Sequence, residues 1–491
     1  MDESRRLTIV FFFKPHFFQN HLIFFQINII NYIMELQSNA VDSNLKEFSI
    51  FKLALPIFMQ MILSVCLGYV DTIMISRCSE SAVGSIGNAN QIIMLLTLTF
   101  AIVSSATGVV VAQYLGARQT EKMNQIYTVS IGFNAALGVF VCIFVVAFCR
   151  PLLRLIRVPS EMFPDAVNYL HIVGCFLFCD AVLQIFSQIF NCHGKTSLGM
   201  FIMFGMNIFN IGGNYCFLYG PLKFLHLQVE GIAIATSVSK LLGTLACFIL
   251  FKKIIHARIS AAFLRPFPID LLKKLIKLGV PSAGEQISYQ VAQVVITSFV
   301  NSLGSVSVNT KIFCSTLTVF SLVYSNAMAG ATSIVVGHAV GEGDYDFAYR
   351  RVLRSLCSAM VISIVIATLN YGLSPFTLNL FTQNQEIIEI GRRVMLVGVF
   401  LEIGRCVNLI VIRSERAAGD VLFPTLLGIG SMWVISVVGA YLFGVAFGFG
   451  LVGIWCAMAG DEIFRAVVVL LRWIKGGWQG RAVISPTSAE D

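Results

Sequence analysis

Polar side chains that could bind a cation recur at helical spacing inside long apolar runs. In residues 51–76, Gln60, Ser64, Gly68 and Asp71 follow one another at spacings of four, four and three, which puts them on one face of a helix. A charge inside an apolar helix is costly unless it is paired or hydrated, so an unpaired carboxylate marks a functional candidate. Asp71 is therefore predicted to take up a proton or coordinate Na⁺ in a polar cavity; the alternative is a hydrogen-bonded packing carboxylate.

Two more polar faces follow in the first half of the chain. The run 164–190 and the residue directly after it carry Asp180, Gln184, Ser187, Gln188 and Asn191, and residues 198–219 carry Asn207, Asn210 and Asn214, again at helical spacing. We expect these faces and that of Asp71 to wall one polar cavity. Asp180 fits either a cavity function or a helix-packing hydrogen bond, and the asparagines are more typical of packing between membrane helices than of substrate contact.

The second half has a polar face of its own. In residues 278–301, Gln286 and Gln290 share a face with Gln293 and Thr297 and are candidate cavity residues. Glu285 precedes them by less than one turn. It is expected to be solvated or to pair with a Lys of the basic segment before it.

Ionisable residues of opposite sign also lie one turn apart in the second half, where they partly neutralise each other. Glu402 and Arg405 form such a pair, either structural or switchable by protonation of Glu402. Asp461 and Arg465 form another, expected to be structural. Glu462 is then the less satisfied carboxylate of that group.

The composition places the chain in lipid. Hydrophobic residues make up 57% of the sequence and charged residues 12%, far from the balance of a soluble domain. The net charge of +8 comes from short segments between apolar runs, which excludes a nucleic-acid-binding face. The 13 cysteines form no C-x-x-C pair and no zinc-spaced cluster, so we expect no structural metal and no cofactor.

Twelve apolar runs are each long enough to cross a bilayer. They lie at 51–76, 86–115, 126–149, 164–190, 198–219 and 230–251, then at 278–301, 312–340, 352–374, 392–412, 422–444 and 451–471. The sequence therefore predicts an all-α integral membrane protein. Motifs of metalloproteases, serine hydrolases and P-loop ATPases are absent from it.

The two halves repeat each other at a nearly fixed displacement. The run from Lys52 to Pro56 recurs from Lys277 to Pro281, and Gly194 matches Gly419 at the same displacement along the chain. An even number of crossings per unit puts both units in the membrane the same way up, related by an axis along the membrane normal. The sequence predicts two six-helix lobes with a solute pathway between them.

Charge placement predicts the topology and the division of the chain. Basic residues are commoner in alternate loops and in the tail, which favours both termini in the cytoplasm. The predicted parts are an extension (1–45), the first lobe (46–251), a basic linker (252–277), the second lobe (278–471) and a cytoplasmic tail (472–491). Residues 1–33 are expected to be a start-site artefact, and residues 269–277 an amphipathic helix on the inner leaflet.

Several motifs carry a family resemblance. The run Y-V-D-T-I-M from Tyr69, Q-Y-L-G-A from Gln113, R-A-A-G-D-V-L-F-P from Arg416 and G-L-V-G-I-W from Gly450 together resemble the multidrug and toxic compound extrusion (MATE) family, in its bacterial branch. The resemblance covers about residues 45–475. It implies a monomeric transporter in the cell membrane that exports organic, often cationic compounds, driven by inward flow of H⁺ or Na⁺.

The resemblance also implies roles for single residues. The acidic residue of the family's V-D-T motif is a coupling-cation site, which points to Asp71 and to possible Na⁺ binding there. An Asp that many members have in the fifth span is Asn214 in this chain, and an amide cannot titrate. That difference shifts the expected coupling role toward Asp71 and Asp180.

Two other functions stay open at this point. A flippase for lipid-linked precursors would need a basic central cavity, whereas the charges in these spans are mainly acidic. An intramembrane acyltransferase-like enzyme would need a His or Ser constellation, and His171 and His338 are isolated in the sequence. His338 matches Gln113 in the repeat, which favours a structural role.

Overall fold

The computed structural model describes residues 49–76, 80–225, 227–265 and 268–484, so the predicted start-site artefact lies outside the described residues. Within these described ranges, twelve helical units follow one another in two lobes. The first lobe contains α1 (Ile50–Ser76), α2 (Glu80–Gly116), α3 (Met123–Leu155), α4 (Phe163–Cys175 and Leu177–Cys192), α5 (Thr196–Leu218) and α6 (Val229–Leu250). The second contains α7 (Ile269–Ser302), α8 (Ser305–Gly341), α9 (Tyr345–Asn379), α10 (Gln385–Ala417), α11 (Leu422–Ala446) and α12 (Gly450–Ile474).

Eight of these helices are long and apolar enough to cross a membrane, and α4 and α8 become the ninth and tenth if each bent pair is one span. α4 bends by 47° and α8 by 42°. The remaining two, α7 and α12, contain polar residues singled out in the sequence. These are Glu285, Gln286 and Gln290 in α7 and Asp461, Glu462 and Arg465 in α12. The predicted twelve-helix fold is confirmed.

The start of α7 differs from the prediction. Residues 269–277 are not a separate helix on the membrane surface but the first part of α7, which continues to Ser302. Leu271 and Leu275 are buried in a core formed largely by the first lobe. Burial of these leucines against protein takes the place of the predicted burial in lipid.

The repeat is visible in the backbone. Gly194 lies two residues after the end of α4 with φ of 71°, and Gly419, its counterpart in the second half, lies two residues after the end of α10 with φ of 96°. Both lie in the left-handed region that glycine adopts readily after a helix. Pro56 and Pro281 likewise lie within the first helix of each lobe.

The beginning of each lobe's first helix packs in a core that it shares with the other lobe. Ile50 and Leu53 of α1 share a core with Val336 of α8, and Leu278 of α7 shares one with Val110 of α2. The first of these cores also contains Trp473 at the end of α12. We call this the terminal side, because α1 begins and α12 ends there.

The opposite side is built differently. The core around Ile75 and Ala82 consists of residues of the first lobe, and the core around Val300 and Leu451 consists of residues of the second. The lobes thus share cores on the terminal side and keep separate cores on the opposite side.

Candidate functional site

A chain of side-chain hydrogen bonds links three helices around Asp71. Asn214 of α5 donates from Nδ2 to Asp71 Oδ1 at 2.6 Å and to Asn210 Oδ1 at 3.1 Å. Asn210 in turn donates to Thr236 Oγ1 of α6 at 3.0 Å. Asp71 is only 7% exposed, and no salt bridge to it is formed within the described ranges. The sequence analysis predicted that Asp71, Asn210 and Asn214 lie close together, and they do. It did not predict Thr236 as a further member of the network.

Asp180 has a charged partner that the sequence analysis did not predict. Lys240 of α6 places its Nζ 2.8 Å from Asp180 Oδ2, and both side chains are largely buried. Lys240 is one helical turn after Thr236 and lies within electrostatic reach of Asp71. Lys240 could have been singled out from the sequence, because a single Lys inside an apolar run is as costly, and so as informative, as a single Asp.

The other predicted residues of the first lobe lie around this network rather than in it. Gln60 of α1 donates to Ser187 Oγ of α4 at 3.0 Å, and Asn207 bonds the Met203 carbonyl of its own helix at 2.7 Å. The Gln184 carbonyl accepts a bond from Ser104 of α2 at 2.8 Å. Ser64 is exposed on α1. These contacts are of the helix-packing kind.

The second lobe buries a larger network of charges. Arg405 bonds Glu402 at 2.5 Å, and Ser321 donates to the other oxygen of Glu402 at 2.9 Å. Glu402 is 1% exposed, so its carboxylate is buried away from water, while the Arg405 side chain remains partly exposed. The predicted pairing is thus formed, with Ser321 as an additional partner from α8.

Glu462 is better satisfied than the sequence suggested. Arg465 lies 3.0 Å from both Asp461 and Glu462, and Asn408 of α10 donates to Glu462 Oε2 at 2.6 Å. The expectation that Glu462 is the less satisfied carboxylate is therefore wrong. The additional partner is Asn408 of α10. Spacing along a single helix cannot predict a hydrogen bond between two different helices.

The polar face of α7 also finds partners at long sequence distance. Glu285 pairs with Arg416 at the end of α10, not with a Lys of the basic segment. Thr297 accepts a hydrogen bond from Lys311 of α8 at 2.6 Å. Gln286 and Gln290 are half-buried beside them.

The two isolated histidines differ in their surroundings. His338 of α8 donates to the Cys192 carbonyl at the end of α4, at 2.8 Å. His171 is exposed on α4 and, with Arg150 and Glu230, lines a cavity of about 680 Å³ whose lining does not include Asp71.

The charge balance decides what the first lobe can do chemically. Two carboxylates, Asp71 and Asp180, face one ammonium, Lys240, so one negative charge is left over. Asn214 Oδ1 is buried and has no hydrogen-bond partner among the described residues, so the residue that binds Asp71 also carries a free amide oxygen. Carboxylate and amide oxygens suit a hard cation, and the carboxylate also suits a proton. No group of three or more His, Cys, Asp or Glu side chains arranged for a metal occurs in the described ranges.

Comparison with known proteins identifies the family. The MatE family model matches residues 56–216 and again residues 281–442, once in each lobe. This chain belongs to the MatE family. The two matches start at Pro56 and Pro281, which are equivalent positions of the repeat.

Individual relatives agree with this assignment. The chain is 36% identical over 433 residues to the uncharacterized transporter YisQ of Bacillus subtilis, covering 88% of this chain and 95% of that protein. It is 25% identical over 406 residues to the multidrug resistance protein NorM of Vibrio cholerae, covering 82% and 88%. As a MATE family member it is a multi-pass membrane transporter and not an enzyme.

Solved structures share the fold. A crystal structure of MATE in the bent conformation superposes with a TM-score of 0.81 at 21% identity, covering 89% of this chain and 96% of that one. An outward-facing multidrug resistance MATE transporter gives a TM-score of 0.79 at 21% identity, covering 88% and 96%.

Proposed function

We propose that this MATE family member exports organic, often cationic compounds in exchange for inward-moving H⁺ or Na⁺, and that Asp71 binds the coupling cation. The observation that carries the proposal is the uncompensated charge of Asp71. The carboxylate is buried and held by Asn214, while the neighbouring Asp180 is already neutralised by Lys240.

An uncompensated buried carboxylate is a natural coupling group. Its charge is costly in a low-dielectric environment, so the site favours a bound cation or proton. Loading the site removes the excess charge, and unloading it restores that charge. The two states of the first lobe therefore differ in electrostatic energy, which is what a gradient-driven conformational change requires.

Alternating access would use the two lobes as its moving parts. The shared cores on the terminal side and the separate cores on the opposite side fit one end state of such a cycle. The basic segment 252–277 and the basic tail support a cytoplasmic terminal side, with the protein in the cell membrane. Two relatives carry the words "multidrug resistance protein" in their names, which supports xenobiotic compounds as substrates.

Transport in proteoliposomes tests the proposal. A fluorescent organic cation is followed under an imposed pH gradient, an imposed Na⁺ gradient, or neither. We expect transport with one of the gradients and its loss in Asp71→Asn, with the variant still folded in the membrane. The matched control is Glu389→Gln, which removes a carboxylate exposed on α10. Full transport by Asp71→Asn, or transport that ignores both gradients, would overturn the proposal.

A further inference from the structure

The two lobes approach each other closely where α2 crosses α8. A Cβ atom on Gly116 would lie 2.0 Å from the carbonyl oxygen of His338, and one on Gly341 would lie 2.1 Å from that of Gln113. Gly341 is the repeat counterpart of Gly116, and His338 is that of Gln113, so the crossing obeys the repeat symmetry. Small residues at such a crossing allow backbones to touch.

Two hydrogen bonds cross between the lobes at this point and are also related by the repeat. Gln113 donates from Nε2 to the Ala417 carbonyl at 2.7 Å, and His338 donates from Nε2 to the Cys192 carbonyl at 2.8 Å. Cys192 and Ala417 are the last residues of α4 and α10 and occupy equivalent positions of the repeat. The last carbonyls of a helix lack partners within it, so each lobe supplies the donor that the other lobe's helix end needs.

The chain after α12 adds a third connection. We call residues 475–484 the strap. Within it, Trp478 is fully buried and stacks on Trp473 of α12, with 4.1 Å between the ring centroids. Arg481 lies 3.2 Å from Asp420, which also binds Arg472 at 2.6 Å. The beginning of the strap is thus fixed to the second lobe.

The far part of the strap lies on the first lobe. Val483 donates its backbone N–H to Gln113 Oε1 at 2.8 Å, and Ile484 is buried in the core of α2 and α4. Both polar atoms of the buried Gln113 amide are therefore used, one by the end of α10 and one by the strap.

We propose that Gln113 and His338 form a latch that holds the terminal side of the transporter closed, and that the strap secures the Gln113 half. The inference rests on the proposed transport function, because alternating access requires this contact to open once in each cycle. Gln113 and His338 are positioning residues: they set which side is closed without touching the coupling cation.

Hydrogen exchange of the full-length protein in lipid nanodiscs, read by mass spectrometry without substrate, tests the latch. Gln113→Leu combined with His338→Leu removes both donors at similar volume. We expect exchange of the amides in 190–196 and 415–421 to rise about tenfold, the factor expected for loss of one net hydrogen bond. Exchange equal to that of the wild type would overturn the latch.

The repeat itself supplies the rescue variants. Gln113→His gives the first lobe the donor that the second lobe uses at the equivalent position, and His338→Gln does the reverse. Both should keep exchange within about twofold of the wild type. If they open the terminal side as fully as the leucine variants, side-chain volume rather than hydrogen bonding closes it, and the latch is wrong.

The strap is tested by a matched pair at one position. Val483→Pro removes the N–H that Gln113 accepts, while Val483→Ala keeps it. We expect faster exchange in 111–117 for the proline variant alone, and equal exchange in both variants would overturn the role of the strap. Because these readouts need no substrate, a wild-type protein that fails to transport would refute the proposed function while leaving the latch to be judged by exchange.

Discussion

Asn214 holds the Asp71 carboxylate at 2.6 Å across the α1–α5 interface, so an amide occupies the place where a second acid would face the first. Asn214→Asp would bring two carboxylates to hydrogen-bonding distance, where they repel each other unless they share a proton or a cation. We expect the variant to couple an additional cation in each cycle. The measurement is the dependence of export on the size of the imposed gradient, which should become steeper.

Asn207→Asp is the control for this change. Asn207 lies on the same helix and is also buried, but among the described residues its side chain bonds only the carbonyl of Met203 in its own helix. If both variants alter the gradient dependence equally, an added acid anywhere on α5 is sufficient and the pairing with Asp71 is not the cause.

The Lys240–Asp180 pair should show the asymmetry of a buried ion pair. Removing one partner leaves an unpaired charge and costs roughly 3–5 kcal/mol, whereas removing both can be nearly neutral. We therefore expect Lys240→Met to lower the thermal unfolding midpoint in detergent by several degrees, and Lys240→Met with Asp180→Asn to recover most of it. A double variant as unstable as the single one would mean that Lys240 stabilises through packing alone.

The glycines at the α2–α8 crossing should tolerate no side chain. Gly116→Ala and Gly341→Ala each place a Cβ about 2 Å from a backbone carbonyl. Overpacking of this kind typically costs about 1–3 kcal/mol, and the repeat symmetry predicts similar losses for the two variants. Gly205→Ala and Gly212→Ala are the controls, because a Cβ there meets nothing within 4 Å. Thermal unfolding midpoints of the four variants decide the matter.

Acid should destabilise the protein through His193, which lies just after α4. Burial, with smaller contributions from His338 and Lys195, lowers the pKa of His193 from 6.5 to about 3, and its Nε2 lies 2.5 Å from the Tyr127 hydroxyl. Between these two pKa values the unfolded chain binds a proton that the native protein does not. The free energy of unfolding is therefore highest above pH 6.5. As the pH is lowered from 6.5, it decreases by up to about 1.4 kcal/mol per pH unit.

Unfolding midpoints measured between pH 8 and pH 5 check this prediction. His193→Gln, which keeps a hydrogen-bonding group toward Tyr127, should flatten the acid loss. The exposed His256 serves as the control, and His256→Gln should leave the slope unchanged. A wild-type slope that persists in His193→Gln would assign the effect to another group.

Much of the fold could be predicted because the bilayer sets the length of its helices. Twelve apolar runs and one nearly fixed displacement between the halves predicted the helix order and the two lobes. Periodicity also placed Asp71, Asn210 and Asn214 on helix faces that meet, because an unpaired polar group in lipid is costly and favours contact with another polar group. The start of α7 was missed because leucines at helical spacing can face either lipid or a neighbouring lobe.

Partners from other helices could not be predicted from one sequence. Lys240 with Asp180, Arg416 with Glu285 and Asn408 with Glu462 are joined by contacts between helices far apart in the chain. The rotation and depth of one helix against another depend on packing, and spacing along a single helix does not contain them. For the same reason the sequence matched His338 to Gln113 without indicating that both bond across the lobe interface.

The packing of the beginning of α1 against the second lobe has a consequence for how the protein is made. Ile50 and Leu53 of α1 enter the membrane early but share their core with residues of α8, such as Val336. At ordinary rates of synthesis, α8 follows on the order of tens of seconds later. During that time α1 must shelter its unfilled face in lipid or against the insertion machinery, so the first lobe cannot finish folding before the second has begun to emerge.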